Sequence, residues 1–279
     1  MEKHHYTRRE LLKRLALVPA ICAVPQVDLW GQLSSTGKKG WVSLFDGKTL
    51  SGWHTNKEEV IQGTGGLWQV EKGAITCRQD PPGNGGILMS DKKYGDFELE
   101  LDILPDFGID SGVFLRTNEK GQCFQIYIDY RNDGLIAFIS AEGKSRMYIR
   151  PFCFDGVFDD KEKLTGLTMR PDSRDVAWKP DYLLYHCSPE VWKKTWKMGK
   201  WNTLRIRCTG KYPRITTWMN NVMMMDFDGE TCPSPLYKKE MMAELLGGEG
   251  HIGLQVHEGV GSWKEGAVNR WKNIRIKEL

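Results

Sequence analysis

Alternation along a few short segments brings proton-transferring and oxygen-binding side chains to one side of what reads as a β-sheet. Successive side chains of a strand point to opposite faces. In His251–His257, Ile252, Leu254 and Val256 therefore take one face, and His251, Gly253, Gln255 and His257 the other. The same sorting leaves Gln125, Tyr127 and Asp129 opposite Phe124, Ile126 and Ile128, and Arg116 opposite Val113 and Leu115. An imidazole can take a proton near neutral pH, while guanidinium, amide and phenol groups can hold an oxygen that gains charge. The six-residue step between His251 and His257 spans about 20 Å of strand, so the two cannot share a metal ion, whereas Gln255 lies about 7 Å from His257 on the same face. His257 is thus the expected centre, in a groove with Arg116, Gln125, Tyr127, Asp129 and Gln255. Asp110, just before Ser111-Gly112, is expected to hold a turn through nearby backbone amides. Glu98, Glu100 and Asp102 alternate along another strand, in the manner of the acids that retaining β-glucanases use as nucleophile and acid. Met223, Met224 and Met225 are consecutive, point apart on a strand and read as core filling rather than copper ligation.

The elements that must position these groups are short and numerous. Periodicity predicts strands over 41–45, 68–71, 74–78, 86–90, 97–103, 111–117, 124–130, 135–140, 201–209, 214–219, 222–227, 250–257 and 269–277. Turn residues separate them, the pattern of an all-β sandwich rather than of alternating helix and strand. Asn220-Asn221, between two apolar runs, reads as a two-residue hairpin turn, because asparagine tolerates positive φ. Residues 150–200 interrupt the rhythm with a long excursion rich in Trp, Tyr, Pro and Lys, in which a short helix is expected from Ser188 or Pro189 to Lys197. Trp178 and Tyr182 in that excursion, and Trp263 beyond His257, are aromatic candidates for stacking on sugar rings.

Charge and composition narrow the classes further. The formal net charge of +3 resides in residues 1–26, where Lys3, Arg8, Arg9, Lys13 and Arg14 face only Glu2 and Glu10. The remainder is neutral, which argues against a nucleic-acid partner. No apolar run is long enough for a membrane helix. Arg8-Arg9 with Leu11-Leu12-Lys13, followed by the apolar stretch from Leu15 to Val24, reads as a twin-arginine-type export signal over 1–26 and implies a periplasmic or extracellular protein. A linker over 27–40 and a single domain over 41–279 follow. Without Cys22, six cysteines remain; an even number permits disulfides, but the spacing excludes a zinc ribbon.

Several separated motifs also resemble one family. They are Leu44-Phe45-Asp46-Gly47-Lys48-Thr49-Leu50-Ser51-Gly52-Trp53, Tyr94-Gly95-Asp96-Phe97-Glu98-Leu99, Asp110-Ser111-Gly112-Val113-Phe114-Leu115-Arg116, Trp201-Asn202-Thr203, Gly253-Leu254-Gln255 and Asn273-Ile274-Arg275-Ile276-Lys277. In this order they resemble the DUF1080 family, also described as the 3-keto-disaccharide hydrolase domain, from Trp41 to Leu279. The resemblance implies a concanavalin A-like jelly-roll sandwich that cleaves glycosides already oxidised at the sugar's third carbon, by hydrolysis or elimination. On that reading His257 removes the proton on carbon 2, Arg116 and Gln125 hold the keto or enolate oxygen, and Tyr127 or Asp129 assists the leaving group. One divalent metal is admitted, with His257 and Glu258 as first ligands to test, while no nicotinamide or flavin is required. Two other readings stay open: a noncatalytic carbohydrate-binding sandwich, and an ordinary retaining hydrolase using Glu98 and Asp102.

Overall fold

In the computed structural model, alternation in the sequence becomes two antiparallel sheets laid face to face. The structure describes residues 40–279 apart from 57, 59, 144–146 and 173–176. The expected signal over 1–26, and the linker but for its last residue, lie outside the described residues. The strands in chain order begin with β1 (Val42–Ser43), β2 (Trp53–Thr55), β3 (Leu67–Glu71), β4 (Ala74–Arg78), β5 (Gly86–Tyr94) and β6 (Phe97–Ile103). Next come β7 (Gly112–Thr117), β8 (Cys123–Asp129), β9 (Leu135–Glu142), β10 (Phe152–Phe158), β11 (Leu164–Pro171) and β12 (Tyr185–His186). After α1 (Pro189–Thr195) follow β13 (Asn202–Thr209), β14 (Arg214–Met219), β15 (Val222–Asp228), α2 (Lys239–Leu246), β16 (Gly250–Val256) and β17 (Asn269–Glu278).

One sheet runs β12-β15-β14-β13-β6-β17-β4-β3, with β1 on β17; the other runs β2-β5-β16-β7-β8-β9. Leu99, Leu101, Leu204, Ile206 and Ile276 from the first meet Val113, Leu115, Ile126 and Leu254 from the second in one buried core. This is the expected all-β jelly-roll sandwich, and burying alternate apolar faces is what fixes the register of each strand. The Asn220-Asn221 turn has φ of 49° and 69°, the doubly positive geometry of a two-residue hairpin. Strand 41–45 shortens to Val42–Ser43, while β2 and α2 were not expected.

Glu98, Glu100 and Asp102 lie on the far side of the nine-stranded sheet, away from the core. Arg207 faces Glu98 at 3.9 Å, Arg275 pairs with Glu100, and Asp102 accepts from Thr203 Oγ1 at 2.7 Å and Asn273 Nδ2 at 2.6 Å. These acids are thus cross-strand partners that tie β6 to β13 and β17. The retaining-hydrolase reading loses its catalytic pair for that reason.

The excursion proves more structured than a loop with one helix. β10 and β11 form a hairpin of their own, and β12 adds to the edge of the nine-stranded sheet. Ser188 caps α1 by accepting from Val191 N, and Pro189 starts it without losing an intrahelical bond. The helix buries Trp192, stacked on Phe154 at 4.9 Å and on Trp196 at 5.7 Å, with its indole N–H donating to Ile136 O. The aromatic residues of the excursion are chiefly mortar between it and the sandwich.

Candidate active site

The outward face of the six-stranded sheet divides into two parts. Ile87, Met89, Phe114 and Cys123 form a small apolar cluster that is fully buried, with Ile61 lying over its edge near Gly121. At the other end the face opens into a cavity of about 430 Å³. Gln125, Tyr127, Asp129 and His257, all expected from strand alternation, line it together. The remaining walls are Asp110, Arg131, Glu142, Tyr148 and Arg150.

Gln125 reaches this position because residue 112 has no side chain: a Cβ on Gly112 would lie 2.2 Å from Gln125 Nε2. The amide is then locked, accepting from Ser140 Oγ at 2.8 Å and donating to Gln255 Oε1 at 2.6 Å. Gln255 is fully buried beneath Gln125, so it orients the site rather than lining it. Its own Nε2 has no hydrogen-bond partner among the described residues.

His257 follows the last residue of β16. Its backbone N–H donates to Asp110 O at 3.3 Å, and Nδ1 lies 2.6 Å from Glu258 O. A carbonyl only accepts, so Nδ1 carries the hydrogen, and in the neutral ring the lone pair is on Nε2. That nitrogen lies 4.0 Å from Asp110 Oδ2, a carboxylate placed to stabilise an imidazolium. The Asp110 carboxylate thus faces Arg131 and His257, and no backbone amide among the described residues donates to it as the expected turn role requires.

Behind the histidine runs a chain of alternating charge. Arg131 donates from Nη2 to Asp110 Oδ2 at 2.6 Å and from Nε to Asp129 Oδ1 at 2.9 Å. Arg150 Nη1 lies 3.6 Å from the other oxygen of Asp129 and its Nε donates to Asp172 at 2.9 Å, while Nη2 is held by Asp133 O. Arg150 also sits over the Tyr127 ring at 5.6 Å. Burial, and then the charge of Asp110, push the Asp129 carboxyl up to about 8, against the pull of Arg131 and Arg150. Burial likewise raises Glu142, with His257 opposing it, and keeps the Tyr127 phenol protonated. The cavity thus holds a lone-pair nitrogen, a carboxyl that stays protonated to unusually high pH, and two guanidinium groups.

Arg116 is elsewhere. Between Phe114 and Thr117, β7 spends three steps where β16 spends two, and Arg116 has a φ of 50°. This bulge turns the side chain off the simple alternation. Its guanidinium is buried on Gly95 O, Gly210 O and Asp96 Oδ1, joining the Tyr94–Leu99 and Asp110–Arg116 sequence blocks as a structural clamp. Trp178 is buried edge-on against Tyr182, and Tyr182 packs against the core, so neither lines the cavity. Trp263 is buried too, although it forms a wall of a neighbouring cavity. His251 sits at the other end of its strand, between Ser90 O at 2.6 Å and Glu119 Oε1 at 2.9 Å.

A divalent ion does not fit the donors present. His257 Nδ1 is spent on Glu258 O, Glu258 does not line the cavity, and Arg131 already donates to both Asp110 and Asp129. Among the described residues, one group of three brings ligand atoms within 4.8 Å of one another: Asp133, Cys153 and Asp172. Arg170 pairs with Asp133 at 3.0 Å and Arg150 with Asp172 at 2.9 Å, and burial pushes the Cys153 thiol up to about 12, which disfavours the thiolate a metal needs.

Sequence reasoning missed Arg131, Glu142, Tyr148 and Arg150. Glu142 was within reach, since β9 continues two residues past the expected end at Ser140 and keeps its alternation. The arginines lie outside the strands, where alternation carries no information.

Comparison with known proteins gives these features a context. Residues 40–277 match the model of the 3-keto-alpha-glucoside-1,2-lyase-like domain. The chain belongs to this family. A 3-keto-disaccharide hydrolase of Bacteroides thetaiotaomicron is 31% identical over 85 residues, which is 29% of this chain and 28% of that protein. A solved structure from Parabacteroides distasonis is 22% identical, covering 86% of this chain and 99% of its own, with a TM-score of 0.48. A β-glucanase of Bacillus licheniformis is 12% identical, covering 88% and 99%, with a TM-score of 0.46. Within the family's span, several of the sequence blocks prove structural. Asp46 accepts from the backbone of Lys48 and Thr49 to hold a turn, and Asn220 ties Thr203, Asn202 and Thr195 together.

Proposed function

We propose that this protein cleaves 3-keto-glycosides by elimination across carbons 1 and 2, in the cavity of His257, Asp110 and Asp129. The observation that supports it is the pairing of opposite tendencies: His257 Nε2 keeps a lone pair beside Asp110, while burial holds Asp129 protonated up to about pH 8. A ketone at carbon 3 acidifies the hydrogen on carbon 2. His257 Nε2 takes that proton, and Asp110 stabilises the imidazolium that results. The negative charge moves to the carbon-3 oxygen, held by the Gln125 amide, the Tyr127 phenol and the Arg150 guanidinium. As the carbon 1–carbon 2 double bond forms, the carbon 1–oxygen bond breaks, its electron pair leaves with the aglycone oxygen, and Asp129 supplies the proton. Water added back across the double bond gives net hydrolysis; without it the unsaturated keto sugar is the product. The step is redox-neutral.

The test offers an unmodified β-glucoside and its 3-keto counterpart, and measures free aglycone. Release from the keto sugar alone is expected. Release from both, or tight binding with release from neither, overturns the reading. Export is part of the same proposal: replacing Arg8 and Arg9 by Lys should retain the protein in the cytoplasm, followed by fractionation.

A further inference from the structure

Next to the catalytic cavity lies a second one of about 360 Å³, and Arg131 belongs to the walls of both. Three separate parts of the chain deliver aromatic rings to it: Phe107 between β6 and β7, Phe158 as the last residue of β10, and Trp263 between β16 and β17. Phe107 stands edge-on to Phe158 at 5.5 Å and to Tyr130 at 5.1 Å, and the Trp263 indole is fixed by donating to Ala267 O at 2.8 Å. Gly156 makes the arrangement possible, because a Cβ there would lie 2.7 Å from Phe158 and 2.8 Å from Phe107. Asn132 Oδ1 holds the Gly156 N–H at 2.9 Å and so pins the hairpin in place. The cavity is therefore built by the fold and needs no ligand to form it.

Its chemistry differs from that of its neighbour. The polar residues on its walls are Arg131, Asn132 and Lys264, and among the described residues no carboxylate lines it. Sugar hydroxyls call for acceptors as well as donors, whereas flat aromatic walls with cations suit an aryl ring carrying negative charge. Arg131 uses Nε and Nη2 on Asp129 and Asp110, and its Nη1 has no hydrogen bond among the described residues. We infer that the second cavity takes the leaving group, and that this group is an aryl ring whose phenolic oxygen departs beside Arg131. The inference rests on the cleavage reading above. When the carbon 1–oxygen bond breaks, the electron pair stays on the phenolic oxygen, which pairs with Arg131 until it takes the Asp129 proton.

The experiment compares wild type with Phe158→Ala on 4-nitrophenyl 3-keto-glucoside, methyl 3-keto-glucoside and a 3-keto-disaccharide. Phe158 is 43% exposed, so its loss leaves the core intact. The variant should lose about 10- to 100-fold in kcat/KM on the aryl substrate, mainly through KM, and stay within about twofold on the other two. No loss on the aryl substrate, or the same loss on all three, overturns the proposal, as does a matching loss on the disaccharide. Titration with 4-nitrophenol alone, read by calorimetry, separates the two ideas. Weaker binding in Phe158→Ala supports the aryl subsite even if no keto sugar is cleaved, and equal binding removes the subsite even if cleavage is found.

Discussion

In the proposed reaction His257 and Asp129 divide the work of acid and base because their surroundings differ. The Glu258 carbonyl sets the tautomer of His257. Replacing His257 by Ala should lower kcat by about 10²- to 10⁴-fold. The same change should move unfolding stability by no more than about 0.5 kcal/mol, because the residue sits at the cavity rather than in the core. Steady-state rates and denaturant unfolding check both halves, and a wild-type rate would remove His257 from the chemistry. For Asp129 the sign follows from the raised value: the carboxyl is protonated below about pH 8 and loses its proton as pH climbs through it. The rate on an alkyl 3-keto-glycoside should therefore fall about tenfold per pH unit on the alkaline side of that value. Asp129→Asn should be slower and should lack this limb, which a pH–rate profile reads directly.

At the level of elements, the site depends on contacts that the chemistry never touches. β7 and β8 place Gly112 against Gln125, so that Gly112→Ala should push the amide out of its bonds to Ser140 and Gln255. We expect a loss of about tenfold or more in kcat/KM, with the strand still paired. A crystal structure of that variant with Gln125 unmoved would contradict this account. The excursion is a second support. Trp192 anchors α1 between Phe154 and Trp196, and Trp192→Ala should cost about 3–5 kcal/mol, measured by denaturant unfolding. The same packing bears on Tyr130, next in chain to Arg131, so the variant should also weaken catalysis.

Over the whole molecule, the two sheets have different tasks. The nine-stranded sheet turns its charged face into cross-strand pairs, whereas the six-stranded sheet carries the cavity of His257, Asp110 and Asp129. Proton abstraction makes a prediction that concerns the complete enzyme. In deuterated water, a 3-keto-glycoside recovered before full conversion should carry deuterium at carbon 2 if abstraction is reversible, or else show a slowed rate when carbon 2 is deuterated at the start. Mass spectrometry and competition kinetics check these, and neither effect would mean that cleavage proceeds without breaking that bond. All six described cysteines are free, so the described sandwich is held by packing, ladder bonds and side-chain pairs rather than by disulfides. Among the described residues no helix is long and apolar enough to cross a membrane.

Alternation alone determined the sandwich, its core positions, and the shared outward face of Gln125, Tyr127 and Asp129, because the period of a strand is a local property of the backbone. It also reached His257, one residue beyond β16. It failed at Arg116, where an extra residue in β7 reverses the count; Trp178, expected from its aromatic-rich excursion to stack on sugar, is buried by what that excursion folds against. Arg131 and Arg150 come from connections whose paths are set by distant partners, namely Asp110, Asp129 and Asp172. Only the tertiary structure could bring those charges together: burial and the charge of Asp110 raise the Asp129 carboxyl against the pull of both arginines, and the contact with Glu258 O turns Nε2 of His257 toward the cavity.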